Sequence, residues 1–164
     1  MTEVRGEPNE QNGFLLHHIH ILNNSLSHWT GGTIMADTQL ETHPARTARE
    51  IYHAPFALLS HGTEADPIIN YANLAAQRLF EMEWAEFVQL PSRLSAEKMV
   101  QQERDALLKR VRDHGYIDDY SGVRISKTGQ RFLINRATVW NLIDANGQAK
   151  GQAAMFANWQ MLAG

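Results

Sequence analysis

Cysteine does not occur in this sequence. Its absence excludes disulfides, thiolate zinc sites, cysteine-ligated iron–sulfur clusters, a thiol nucleophile and a cysteinyl–flavin adduct. A large charge of either sign is also missing. Fifteen Lys and Arg stand against eighteen Asp and Glu, for a net charge of -3 and a pI near 6.2. That balance argues against adhesion to nucleic acid or to anionic lipid. No GxSxG, HExxH, P-loop or GxGxxG occurs, which makes enzyme activity the weaker class. No long apolar run is present either. Gln11 to Ala36 carries no Asp, Glu, Lys or Arg, but His, Asn, Ser, Thr and Gly interrupt it throughout, whereas a membrane span needs about 20 mostly apolar residues. The amino terminus, MTEVRGEPNEQNG, is acidic and polar where a signal peptide is basic and then apolar. The expectation is a cytoplasmic chain with no membrane and no nucleic-acid partner.

What is present is enough for one compact domain of 164 residues. Residues 1–12 are rich in Glu, Asn, Gln, Pro and Gly and read as a disordered tail. Residues 13–53 read as helical. Leu15, Ile19, Leu22, Leu26 and Trp29 fall on one face at spacings of four and three, before Thr30-Gly31-Gly32 breaks the helix. A second helix starts at Pro44, a tolerated first-turn residue, and ends near Tyr52, ahead of Ala54-Pro55. From residue 54 to 162 the texture is mixed. Strands are expected at Phe56–Leu59 and Ile68–Tyr71, and Asn73 caps a helix over Leu74–Phe80. Helical spacing continues from Trp84 to Leu90. Ser95, with Glu97 in the first turn, caps a longer helix that stops at His114-Gly115. Strands over Tyr116–Ser126, Arg131–Ile143 and Lys150–Gln160 are separated by Lys127-Thr128-Gly129 and Asp144-Ala145-Asn146-Gly147, both hairpin signals.

The order of elements resembles the PAS fold, and the wording narrows it. APFALLSHGTEADPIINYANLAAQRLFEMEW, LPSRLSAE, GVRISKTGQRFLINRATVWNL and GQAAMF, together spanning roughly Leu15 to Trp159, resemble the MEKHLA domain, a PAS-like family. The hexapeptide that names that family does not occur here. The resemblance implies an α+β fold: a five-stranded antiparallel sheet with helices on one face, preceded here by N-terminal helices. It also implies a sensory or regulatory role, as proposed for such domains at the end of land-plant homeodomain–leucine zipper regulators. DNA binding does not carry over, because the sequence has no homeodomain and no basic zipper helix. With no cysteine, the cysteinyl-flavin and thioester-linked-chromophore photosensors of that fold are excluded. The cofactor is left unknown.

Fold analogy puts a small-molecule site in the cavity between sheet and helices. Tyr71, Arg124, Asn135, Asn141 and Gln152 are its candidate polar groups, and Trp140 and Phe156 its flat apolar ones. Asn135 and Asn141 would also suit the edge of a non-covalent flavin. Haem is disfavoured, since His114 at a helix end is better placed to complement the dipole. In Arg131–Ile143 both alternating sets mix apolar and polar residues, so periodicity does not say which face lines the cavity unless a bulge switches faces. His61, Glu64 and Asp66 form a loop trio suited to a hard metal or acid–base work, but reading them as turn formers is favoured, and no metal is assigned. His17, His18 and His20 lack a carboxylate partner and read as a polar flank; with His28 they would tune packing near neutral pH. Lys98, Arg104, Lys109, Arg110 and Arg112, against Glu97, Glu103 and Asp105, read as a solvated helix face. Leu16 and Ile21 widen the N-terminal stripe, so Leu15, Ile19, Leu22, Leu26 and Trp29 are assigned to a homodimer interface.

Overall fold

Helices start at Pro44 and Leu74 and one ends at His114 as their sequence signals predict, and strand boundaries follow within a residue or two. The structure is a computed structural model and describes residues 6–35, 40, 42–96 and 101–163. A 3₁₀ turn at Glu10–Leu15 leads into α1 (Leu16–Thr30), then α2 (Pro44–Tyr52), β1 (Ala57–His61) and β2 (Ile69–Ala72). Two short helices follow, α3 (Leu74–Phe80) and α4 (Trp84–Phe87), then a 3₁₀ turn at Ser92–Ser95 and the long α5 (Gln101–His114). The chain closes with β3 (Tyr116–Ile125), β4 (Arg131–Ile143), β5 (Ala149–Phe156) and β6 (Asn158–Met161). Pro44 sits in the first turn of α2, and the Asn73 side chain accepts from the Ala76 amide to cap α3. Ser95 does not cap α5. It lies in the 3₁₀ turn, and its hydroxyl donates to the Ser92 carbonyl; Glu97 and Lys98 lie outside the described residues.

All pairings are antiparallel, in the order β2-β1-β5-β4-β3, with β6 also on β4. The single last strand expected from sequence is thus two pieces. β5 pairs with Thr138–Ile143 of β4, and β6 pairs with Phe132–Asn135. Between these stretches lies Arg136 at φ 54°, a left-handed residue that breaks the alternation of β4. Before it, Phe132 and Ile134 face α3 and α5; after it, Ala137 and Val139 face the same way, while Trp140 and Leu142 face α1. A face switch of this kind is why the sequence of β4 shows no clean period.

Both faces of the sheet are covered. α3 and α5 pack on one, around Phe80, Phe87, Val111, Phe132 and Phe156. α1 covers the other, with Ile19, Leu22 and Leu26 against Leu58, Tyr71, Trp140 and Leu142. Polar bonds lock α1 down. The Trp140 indole donates to the Leu22 carbonyl (3.1 Å), the Trp29 indole to the Asn141 carbonyl (3.0 Å), and the Ser25 hydroxyl pairs with both backbone groups of Ile143. His18 is buried, 2.9 Å from the Ser60 hydroxyl and stacked near Tyr71, while His17 and His28 face solvent. Asn73, fully buried, joins three segments: its amide donates to the Ile51 and Phe56 carbonyls and its oxygen accepts from Leu58.

Two expectations change here. The stripe assigned to a second protomer is filled by the chain's own sheet: Ile19, Leu22 and Leu26 are buried, and Leu15 and Trp29 are half-buried against the same core. The reason is that an antiparallel sheet with Leu58, Trp140 and Leu142 on its second face needs a cover of its own. Residues 6–12, assigned to a disordered tail, are ordered. Asn9 and Asn12 form a reciprocal cap, and Glu7 accepts from the Tyr52 hydroxyl at 2.7 Å. Composition undervalues such specific polar anchors. Among the described residues no helix is long and apolar enough to cross a membrane.

Leu22→Ala should therefore lower stability by about 2–5 kcal/mol in urea unfolding, and by the same amount at high and low protein concentration. A loss that varies with concentration would mean that two chains share the stripe. The Tyr71 hydroxyl is buried without a hydrogen-bond partner, so Tyr71→Phe should leave the melting midpoint unchanged or raise stability by about 1 kcal/mol. A clear drop would assign that hydroxyl a role.

Candidate functional site: a cavity between α5 and the sheet

A row of three polar side chains crosses the sheet beneath α5. His61 on β1 is the register partner of Gln152 on β5, which is in turn the partner of Asn141 on β4. Asn141 donates to the Val111 carbonyl (2.9 Å) and accepts from Gln152 (3.0 Å), so it ties the end of α5 to the sheet. Gln152 also donates to the Leu108 carbonyl (3.0 Å). Both of its N–H groups are then committed. Gly151, at φ 120°, allows β1 and β5 to approach here, because a Cβ at that position would overlap the His61 carbonyl.

Beside this row lies a cavity of about 70 Å³. By the measure in which one water takes about 10–15 Å³, it has room for roughly half a dozen waters. Its lining is mixed. Leu107, Leu108, Ile134, Val139 and Phe156 bring apolar surface, while His61, Gln152, Arg104, Tyr120, Arg124 and Ser92 bring polar atoms. His61 contacts the Gly62 carbonyl through Nδ1 at 3.1 Å; its Nε2 is buried and has no hydrogen-bond partner of good geometry. Burial pushes the imidazole below its ordinary pKa, nearby Arg104 adds to that, and the Gly62 carbonyl, Glu64 and a poorly aligned contact with Gln152 pull the other way.

Two arginines enter this interior. Arg124, 9% exposed, donates to the Tyr120 hydroxyl (2.8 Å) and the Val123 carbonyl (3.0 Å), with its guanidinium carbon 5.3 Å from the centre of the Tyr120 ring. Arg104, 6% exposed, donates to the Ser92 hydroxyl and meets Asp105 at 3.4 Å. Asp105 is itself largely in solvent. Burial lowers the Arg104 pKa, and proximity to Arg124 lowers it further, against the opposing pull of Asp105, Asp66 and Tyr120. No Asp or Glu is found among the described lining residues.

Of the residues singled out from sequence, Arg124, Gln152 and Phe156 line the cavity. Tyr71 and Trp140 do not. They point to the opposite face and pack under α1, a consequence of strand alternation and of the face switch at Arg136. Asn141 stands behind Gln152 with its amide used by α5, and Asn135 pairs with Asn158 of β6 away from the cavity. Neither presents a free edge to a flavin. The loop trio is not brought together. Glu64 accepts from the Ile68 amide (3.1 Å), Asp66 pairs with exposed Arg93 (3.1 Å), and His61 alone reaches the cavity. Among the described residues no group of three metal-ligating side chains forms. His114 ends α5 and is exposed. Arg104, read as solvated, was the missed residue. It precedes Leu107, Leu108 and Val111 by three, four and seven positions, and that spacing places it on the buried face of α5.

The arrangement is similar to solved PAS structures. A PAS domain from Colwellia psychrerythraea superimposes with a TM-score of 0.59 at 12% identity, covering 71% of this chain and 94% of that one. A PAS domain from a two-component sensor histidine kinase gives 0.54 at 16% identity, over 70% and 91% of the two chains. An RNA-binding light-oxygen-voltage receptor gives 0.60 at 18%, over 75% of this chain but 34% of that one, so this chain spans about a third of that receptor. These likenesses establish an α+β PAS fold. Ligand sites usually have about 300–1,000 Å³, and a cavity of about 70 Å³ does not fit a flavin or a haem. No curated protein matches the sequence. Residues 16–161 match the MEKHLA domain, from the first turn of α1 to the end of β6, and the chain belongs to the MEKHLA domain family.

Proposed function

We propose that this chain is a non-catalytic sensory or regulatory domain that binds a small polar molecule between α5 and the sheet and reports it to α1. The observation that carries the reading is the cavity itself. It is covered by α5, lined in part by polar side chains of which one atom, His61 Nε2, is buried without a partner, and backed by a strand whose other face holds α1. Asn141 is where the two sides meet. Its side chain accepts from Gln152 at the cavity, and its carbonyl accepts from Trp29 on α1. A change in Gln152 has a two-bond route across the sheet.

Catalysis is disfavoured by the same geometry. Acid–base work on a substrate needs a base within reach of a nucleophile or a second carboxyl group. His61 has neither beside it, because Glu64 and Asp66 are engaged in the adjacent turn and in the Arg93 ion pair. A purely structural module would call for a filled interior, and this one has room beside a buried unpaired imidazole nitrogen.

Ala154 lines the cavity on β5, half-buried and facing α5. Filling the space by Ala154→Leu should keep the fold and its melting midpoint within a few degrees. It should also abolish any ligand-induced rise in midpoint seen with a panel of small polar metabolites on the wild-type chain. Stabilisation that survives in Ala154→Leu would place the binding elsewhere.

A further inference from the structure

Among the described residues, the interior beneath α5 carries more positive than negative charge. Arg104 and Arg124 are both more than nine-tenths buried and both reach the cavity. Their side-chain partners are hydroxyls, one carbonyl and the solvent-facing Asp105. A buried guanidinium is normally matched by a carboxylate or phosphate that satisfies its fork of N–H groups. Two of them near one another repel, and neither can shed its charge at ordinary pH. The described lining has no acidic side chain to answer them.

We propose that the missing acid is the ligand: the cavity receives a short-chain monocarboxylate, its carboxylate held by Arg104 and Arg124 and its alkyl end against Leu107, Leu108 and Phe156. This rests on the small-molecule reading above and names the class of molecule. Three features support it. The volume, about 70 Å³, suits a handful of heavy atoms and not a ring cofactor. The mixed lining offers cationic groups for a charged head and apolar side chains for a short tail. Arg124 is already positioned for a planar partner, because the Tyr120 hydroxyl and the Tyr120 ring hold its guanidinium in place.

His61 makes the binding proton-linked. As it stands, its Nε2 offers a lone pair, which would repel a carboxylate. With a proton on that nitrogen it becomes a third donor and a third positive charge. The groups facing it are Gly62 and Glu64 from the adjoining turn, Arg104 from α5 and Gln152 from β5. Arg104 opposes the proton, and an anion seated between them removes that opposition. Binding of the carboxylate therefore takes up a proton, and affinity rises as pH falls.

The test compares sodium acetate with acetamide, its neutral isostere, on the full chain at constant ionic strength. The readouts are the Nε–Hε resonances of Arg104 and Arg124 and the melting midpoint. Acetate should shift both resonances saturably and raise the midpoint, and acetamide should bind at least about tenfold more weakly. Arg124→Gln should weaken acetate by about tenfold or more, and Arg124→Lys, which keeps the charge but loses the fork, should recover little of it. Lowering the pH should raise acetate affinity in the wild-type chain, and that gain should vanish in His61→Gln. Equal binding of acetate and acetamide would overturn the carboxylate class while leaving a small-molecule site. Binding of neither to the wild-type chain would overturn the proposal, whatever the variants do. The function proposed above would then stand or fall on whether any metabolite stabilises the wild-type chain but not Ala154→Leu.

Discussion

One residue in a left-handed conformation organises this molecule. Arg136 interrupts β4 at φ 54°, and its amide is taken by the Ser121 hydroxyl at 3.2 Å. A non-glycine residue in that region costs about 1–2 kcal/mol. What it permits is a change of face. With strict alternation, Phe132 and Trp140 would share one side of the sheet. With the switch, Phe132 stays under α3 and α5 while Trp140 and Leu142 turn to α1, and Asn141 is left facing α5. The break between β5 and β6 falls opposite the same point, so the two halves of β4 have different neighbours. The second core under α1, the anchoring of α5 and the polar row beside the cavity all follow from it.

The cavity illustrates how a small domain keeps polar groups inside without making them redundant. Gln152 uses both amide hydrogens on Leu108 and Asn141, which fixes its position but leaves His61 Nε2 with no donor. Arg124 is held by a hydroxyl and a carbonyl, and Arg104 by a hydroxyl and the largely exposed carboxylate of Asp105. A folded chain selected for stability alone would do better with well-packed apolar side chains at such positions. Two buried guanidiniums with no acidic side chain in the described lining, and an unpaired imidazole nitrogen, surround a space of about 70 Å³, and this is the physical basis for assigning the space to a ligand.

Much of the fold was legible in the sequence because its signals are local. Pro44, Asn73 and Gly115 mark the start of α2, the start of α3 and the end of α5, and Asn146-Gly147 marks the last hairpin. The SHGTE…NYAN wording carried the family. The site was legible only in part, for reasons that are non-local. Arg124, Gln152 and Phe156 alternate regularly with their neighbours, so analogy placed them correctly. Trp140 and Asn141 lie beyond the Arg136 switch, and periodicity through an exposed arginine gives no warning of a left-handed turn. Arg104 was hidden by its company, since charged residues surround it on α5, although its spacing from Leu107 and Val111 would have put it on the inner face. The α1 stripe was read correctly as apolar, but a sequence cannot say whose surface it covers.

The central claim is that the cavity side of the sheet and the α1 side are joined at Asn141, so that events beneath α5 are felt at the N-terminal helix. The most direct measurement is the indole N–H resonance of Trp29, which donates to the Asn141 carbonyl, in wild type and in Gln152→Leu. Loss of the Gln152 bond should shift that resonance and speed its exchange with solvent, although Trp29 and position 152 lie on opposite faces of the sheet. An indole signal unchanged in position and exchange rate, in a variant that remains folded, would contradict the account.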